Sequence, residues 1–82
     1  MKEGKVRFFI DTAGNRHGAA TVPGEPKEVF LPVAHMKAVE NGALRKFRDG
    51  EERKYPVPGS VILLEYQVMH GSPLATKWGV AQ

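Results

Sequence analysis

The sequence predicts a small all-β domain in which five short strands close into an antiparallel barrel. Nine glycines and six prolines divide the 82 residues into short pieces. Several of these pieces are rich in the β-branched and aromatic residues that favour strands. A chain of this length forms one domain, here residues 1–82. Closure of the sheet hides the strand edges that so small a sheet would otherwise expose.

The five pieces that suit strands are, in chain order, KVRFFI (5–10), HGAATV (17–22), KEVFLPV (27–33), SVILLEYQVM (60–69) and PLATKWGVA (73–81). The fourth is the strongest, because its apolar residues alternate from Ile62 through Tyr66 to Val68 and would face the interior. Trp78 in the fifth strand is expected in the core. A five-stranded, partly open barrel of this kind is an OB-fold, although the composition fits an SH3-like barrel nearly as well.

A long connection separates the third and fourth strands. The segment AHMKAVENGAL (34–44) contains residues that favour helices, and Gly42 stands where a helix would end. We therefore expect a short helix or helical turn there, followed by an irregular loop to about Pro58. The whole connection, about residues 37–58, is called the long connection below.

The composition argues against several classes of function. The chain has no cysteine, and its three histidines stand at spacings that form no local metal motif. No serine, histidine and carboxylate pattern suggests an activated nucleophile, so we predict neither an enzyme nor a cofactor. No apolar run reaches the roughly 18 residues of a membrane span, and the start MKEGKVRFFID lacks the apolar stretch of a signal peptide. We expect a cytoplasmic protein without a membrane partner.

Two strands place aromatic rings on the face that should be wet. In EVFLPVAH (28–35), the apolar residues on either side of Phe30 alternate toward the interior, so Phe30 falls on the outer face. In the first strand, the adjacent residues Phe8 and Phe9 cannot both point inward. Strict alternation buries Phe8, whereas a local bulge would exchange the two faces. Either arrangement leaves one phenylalanine near the outer face.

Exposed rings among basic side chains are what single-stranded nucleic acid binding requires. Bases stack on such rings for about 1–3 kcal/mol each, while cations hold the phosphates. The formal net charge is +3, and Lys5, Arg7 and Arg16 lie close to the rings in sequence. The mixed run RKFRDGEERK (45–54) lies within the long connection. Its Phe47 and the following Tyr55 either anchor that connection on the barrel or supply further contacts.

Three stretches resemble, in the same order, segments of bacterial cold-shock proteins. EGKVRFFIDTAGNRHGAATV (3–22) resembles their opening G-K-V-K-W-F-N and the following K-G-F-G-F-I strand. EVFLPVAHM (28–36) resembles D-V-F-V-H-F-S-A-I. GSVILLEYQVMHGSPLATKWGVA (59–81) resembles the end of the family, G-Q-x-V-x-F-E-V-x-x-G-x-x-G-P-Q-A-x-x-V. The long connection has no clear counterpart in the family.

The resemblance implies an antiparallel OB barrel that binds single-stranded RNA or DNA by stacking, with low sequence specificity. By position, it implies that Phe8 replaces the family's surface tryptophan and that Arg7 replaces the neighbouring lysine. His17 falls where a stacking phenylalanine of the first ribonucleoprotein motif stands, and Phe30 matches the first stacking ring of the second motif. His35, just before the predicted helical turn, belongs to the same expected surface.

The sequence departs from the family at Ala19, Pro32 and Val33, where the family has phenylalanine, histidine and phenylalanine. Fewer stacking partners predict weaker binding than is typical of the family. In the alternative, the barrel has lost nucleic-acid binding and uses its exposed rings as an apolar patch for a protein partner. The predicted binding surface in either case consists of Lys5, Arg7, Phe8, Arg16, His17, Phe30 and His35.

Overall fold

The computed structural model describes residues 1–81 and is an all-β fold, as the sequence predicts. The strands in this part of the chain are β1 (Lys2–Thr12), β2 (Asn15–Thr21), β3 (Val29–Pro32), β4 (Ala38–Glu40), β5 (Ala43–Arg45), β6 (Val61–Met69) and β7 (Ser72–Val80). Five of them form a closed barrel in the order β1-β2-β3-β7-β6, which is a small OB-like barrel. The other two, β4 and β5, pair with each other in a separate hairpin.

One pair of barrel strands runs parallel, which corrects the prediction of a wholly antiparallel barrel. β3 and β7 pair in parallel at Phe30 and Leu74, whereas the other four barrel pairs are antiparallel. The cause is the number of strands: direction cannot alternate all the way round a closed ring of five. Because β6 returns to pair with β1, the unmatched direction falls between β3 and β7.

The segment 34–44 contains a hairpin in place of the helix that its residues favour. The helical part is confined to a 3-10 turn at Val33–His35. Strands β4 and β5 follow, and both residues of their turn, Asn41 and Gly42, have positive φ angles of 53° and 74°. The prediction of a short helical turn is therefore right, but its extension toward Gly42 is wrong. No helix among residues 1–81 has the length and apolar character that crossing a membrane requires.

Contacts with β7 explain why the hairpin overrides the local preference for helix. The backbone N–H of Lys37 donates a hydrogen bond of 2.6 Å to the carbonyl oxygen of Trp78, so the chain leaves the 3-10 turn extended along β7. A Cβ atom on Gly79 would lie 2.6 Å from the carbonyl oxygen of Lys37 and 2.9 Å from Cγ2 of Val39. The absence of a side chain at Gly79 is what lets the hairpin approach the barrel.

The core confirms the predicted place of Trp78 and corrects part of β6. The indole ring of Trp78 is fully buried, and its N–H donates to the carbonyl oxygen of Pro32 at 2.8 Å. In β6 the alternation holds as far as Leu64, and the register with β7 then shifts between Glu65 and Tyr66. After this shift Tyr66 is only half-buried. The prediction that Val68 faces inward is wrong, since its side chain is 58% exposed.

Candidate functional site

A bulge in β1 decides which of the two adjacent phenylalanines faces outward. The register of β1 with β2 shifts between Val6 and Phe8. Val6 lies in the core, Phe8 is 41% exposed, and Phe9 packs against the core. Of the two arrangements that the sequence leaves open, the structure has the bulged one.

Three rings form a row across the outer face of β1, β2 and β3. The ring centroids of Phe8 and His17 are 6.3 Å apart in an edge-on arrangement. Those of His17 and Phe30 are 5.7 Å apart, with 32° between the ring planes. Phe30 is 43% exposed, so the outward position predicted for it is confirmed. These three residues are called the aromatic row below.

Strand register explains how the row is assembled. Phe8, Ala19 and Phe30 pair directly across the three strands, so their side chains share the outer face with His17. Ala19 is only 6% exposed on that face, because the larger side chains beside it cover a methyl group. The position where the cold-shock family has a second ring therefore holds a small residue between two large ones.

Gly18 keeps the other side of β2 open for Phe9. A Cβ atom at Gly18 would lie 2.7 Å from Cδ2 of Phe9 and 2.5 Å from the carbonyl oxygen of Phe8. Neither distance is compatible with a side chain, so the ring of Phe9 can lie against the strand only because residue 18 is glycine. Gly18 thus makes room for Phe9 on the inner face of β2, while the aromatic row lies on the outer face.

Two of the predicted cations already contact carboxylates. Arg7 Nε lies 2.8 Å from Glu28 Oε2, and both side chains are largely exposed. Arg16 Nε lies 2.6 Å from Asp11 Oδ1, and this hydrogen bond raises the pKa of Arg16. The Arg16 guanidinium also lies 4.8 Å from the ring centroid of Tyr55. Exposed ion pairs of this kind contribute little to stability and exchange partners readily.

The structure places the other two predicted residues apart from the row. Lys5 pairs with Thr21 and Val61 and lines a separate groove. His35 is half-buried, and its Nδ1 donates to the carbonyl oxygen of Ala75 on β7 at 2.9 Å. Neither Lys5 nor His35 therefore lies beside the three rings.

An open groove begins at the row and runs beneath the long connection. Its volume is about 610 Å³, and no carboxylate lines it; the lining residues are Gly14, Asn15, Arg16, His17, Phe30, Pro32, Val33, Ala34, Arg53 and Tyr55. Arg53 is a lining residue that was not predicted from the sequence. The available signal was its position in a basic run between Phe47 and Tyr55.

The two rings of the long connection serve as its anchors. Phe47 and Tyr55 are half-buried and pack against the core. The ring of Tyr55 stacks on Phe9 with centroids 5.6 Å apart and 14° between the planes. The connection is thereby held on the barrel without covering Phe8 or Phe30.

Two of the four carboxylates of the long connection, Glu40 and Glu51, are bound within it. Arg45 donates to both carboxylate oxygens of Glu51 at 2.8 Å and to Glu40 at 2.7 Å. The bonds from Arg45, with a further one from the backbone N–H of Arg48, lower the pKa of Glu51 to about 2. This network joins β4 and β5 to the loop at Arg48 and Glu51.

Comparison of the sequence with models of known protein families and with curated proteins gives no match. The resemblance to cold-shock proteins therefore stays a prediction from the sequence segments.

Proposed function

We propose that the protein binds single-stranded RNA or DNA with low sequence specificity on the outer face of β1, β2 and β3. The observation that carries this proposal is the aromatic row, with exposed phenylalanines at both ends and adjacent centroids 6.3 and 5.7 Å apart. Flat rings of this kind accept any base, because every base has a π face. The resemblance to cold-shock proteins supports the same function.

The cations beside the row are paired with carboxylates, which predicts a modest affinity for a single strand. Arg7 and Arg16 lie next to it but contact Glu28 and Asp11, so each must release or share a carboxylate to reach a phosphate. Exposed pairs cost little to break. The row also has fewer rings than the family pattern. We therefore propose binding that is weaker than is typical of cold-shock proteins.

A protein-binding surface is the second candidate, and one observation favours it. Ile10 is 37% exposed and pairs with His17, which places an aliphatic side chain on the same face as the row. An aliphatic side chain contributes nothing to base stacking, whereas it adds to an apolar contact area.

Three substitutions of Phe30 separate the two candidates. Fluorescence anisotropy would measure the binding of labelled oligothymidylate and oligouridylate at low salt. We expect Phe30→Ala and Phe30→Leu to weaken binding by about 5- to 150-fold, the equivalent of 1–3 kcal/mol for one lost stack. Phe30→Tyr keeps the π face and should bind like the wild type. Val68→Ala is the matched control, because Val68 is exposed and lies outside the row.

Salt and duplex competition complete the test. Binding to a single strand should weaken steeply as salt rises, because phosphate contacts release counterions. Wild-type affinity for Phe30→Leu, or binding that is insensitive to salt, would favour the apolar surface for a protein partner. A clear preference for duplex over single strands would refute the proposed function.

A further inference from the structure

A second, smaller groove adjoins the one that begins at the aromatic row. The two grooves share Ala34 and Arg53 in their linings. The second has a volume of about 230 Å³, and its other lining residues are Met36, Lys37, Lys46 and Phe47. Neither lining contains a carboxylate. The surface that leads away from Phe30 under the long connection is therefore continuous and positively charged.

Arg53 stands where the two grooves meet. Its guanidinium carbon lies 4.5 Å from the ring centroid of Phe47, a cation–π contact that holds the planar group against the ring. Among residues 1–81, no carboxylate lies within ion-pair distance of Arg53. A stacked guanidinium keeps its N–H donors at the edge, in the geometry that binds a phosphate.

Among residues 1–81, the neighbouring carboxylates form no ion pair with the cations that line this groove, although Glu51 and Glu52 line an adjoining one with Lys37. Glu40 and Glu51 are bound by Arg45, and Glu40 also contacts Arg48. Within the described chain, neither Lys37 nor Lys46 has a carboxylate within ion-pair distance. The long connection holds six lysines and arginines against four carboxylates, so its positive charge is in excess.

We propose that Lys37, Lys46 and Arg53, called the loop cations, bind the phosphates of the same single strand whose bases stack on the aromatic row. The inference rests on the proposed function and deepens it, because it assigns a path to the strand. From Phe30 the strand follows the first groove to Arg53 and continues into the second. The long connection, which has no counterpart in the resembled family, thereby lengthens the binding surface.

Oligothymidylates of two lengths test the path, because a longer strand can occupy more of the row and the two grooves at once. Lengths of about 4 and about 12 nucleotides lie within the range of site sizes known for OB folds. The test variant is Lys37→Gln with Lys46→Gln, which removes two loop cations and leaves the row and Arg53 intact. The control variant is Lys2→Gln with Lys77→Gln, which removes the same charge at β1 and β7, outside both grooves.

The wild type should bind the longer oligomer more tightly than the shorter one. The test variant should lose most of that gain, and its affinity for the short oligomer should stay at the wild-type level. The slope of log affinity against log salt for the long oligomer should fall by about 1.4, or 0.7 for each phosphate contact of a single strand. The control variant should keep both the gain and the slope. Thermal unfolding should show that both variants remain folded.

The two proposals fail in different ways. If the test variant keeps the wild-type gain with length, or if the control loses as much as the test variant, the path is wrong while the proposed function stands. If the wild type binds neither oligomer, the proposed function fails and the path fails with it. Equal competition by a polyglutamate peptide of the same charge would assign the groove to acidic proteins and overturn the nucleic-acid path.

Discussion

The aromatic row and the long connection use the same residue types in opposite ways. In the long connection, Phe47 and Tyr55 pack against the core. In the row, Phe8 and Phe30 are 41% and 43% exposed, and their ring partner is His17. Burial of apolar area accounts for the first pair of rings at about 25 cal/mol per Å². The second pair buries less of its apolar area, and its exposure fits the binding role proposed for the row.

The largest expected difference between the two regions is in the free energy of unfolding. Tyr55→Ala should lower the free energy of unfolding by about 2–4 kcal/mol, because the substitution removes the stack on Phe9 and the contact with Arg16. Phe8→Ala should lower it by less than about 1 kcal/mol, since the ring is exposed. Urea unfolding monitored by circular dichroism measures both values. Equal losses for the two variants would mean that the row is structural.

A smaller loss is expected where the hairpin meets the barrel. Gly79→Ala should cost about 1–3 kcal/mol, because the new methyl group would meet the backbone of Lys37 and the side chain of Val39. NMR spectra of the variant should show shifts confined to β4, β5, β7 and the adjoining part of the long connection. Large shifts at Phe8 or Phe30 would show that the two regions are not independent.

Part of the pH dependence of stability should come from the long connection. Hydrogen bonds from Arg45 lower the pKa of Glu51 to about 2 from an ordinary value of 4.5. A carboxyl group with a depressed folded-state pKa stabilises the protein above its unfolded pKa, and this stabilisation is lost as the pH falls from about 4.5 toward 2. The urea midpoint of the wild type should therefore be lower at pH 3 than at pH 6.

Two variants assign this pH effect to Glu51. In Glu51→Gln the loss between pH 6 and pH 3 should be smaller, because the titrating group is gone. Glu52→Gln is the matched control, since Glu52 is exposed and has no cation within ion-pair distance among residues 1–81. A wild-type pH profile for Glu51→Gln would contradict the assignment.

The smallest effect is expected at Trp78, which belongs to neither region. Its ring is fully buried, so the emission should be blue-shifted. Oligothymidylate at saturating concentration should leave both the wavelength and the intensity nearly unchanged, because no base can reach the indole. Strong quenching would place the ligand against β7 and away from the row.

Alternation made much of the barrel predictable. The residues around Phe30 and the first half of β6 follow a period of two, so their faces could be assigned from the sequence. Trp78 was likewise recognisable as core. The bulge in β1 was foreseen only as one of two options, because neither arrangement of Phe8 and Phe9 has a local sequence signal.

Contacts between distant residues account for what the sequence did not reveal. The hairpin at 38–45 depends on the hydrogen bond from Lys37 to Trp78 and on the absence of a side chain at Gly79. Helix propensity depends on local sequence and carries no information about these distant contacts. Arg53 was missed for the same reason, since its role follows from where the folded connection places it. The parallel pairing of β3 could have been predicted, because it follows from closing five strands.

The odd number of barrel strands affects how β3 is held beside the aromatic row. β3 has four backbone-paired positions with β2 but one with β7, at Phe30, and the Trp78 indole adds a bond to Pro32. The barrel strand pair with the fewest backbone-paired positions therefore lies at one end of the aromatic row. A ligand bound to the ring of Phe30 should also stabilise the pairing of β3 with β7. Amide hydrogen exchange along β3 should therefore slow on binding more than exchange in β6.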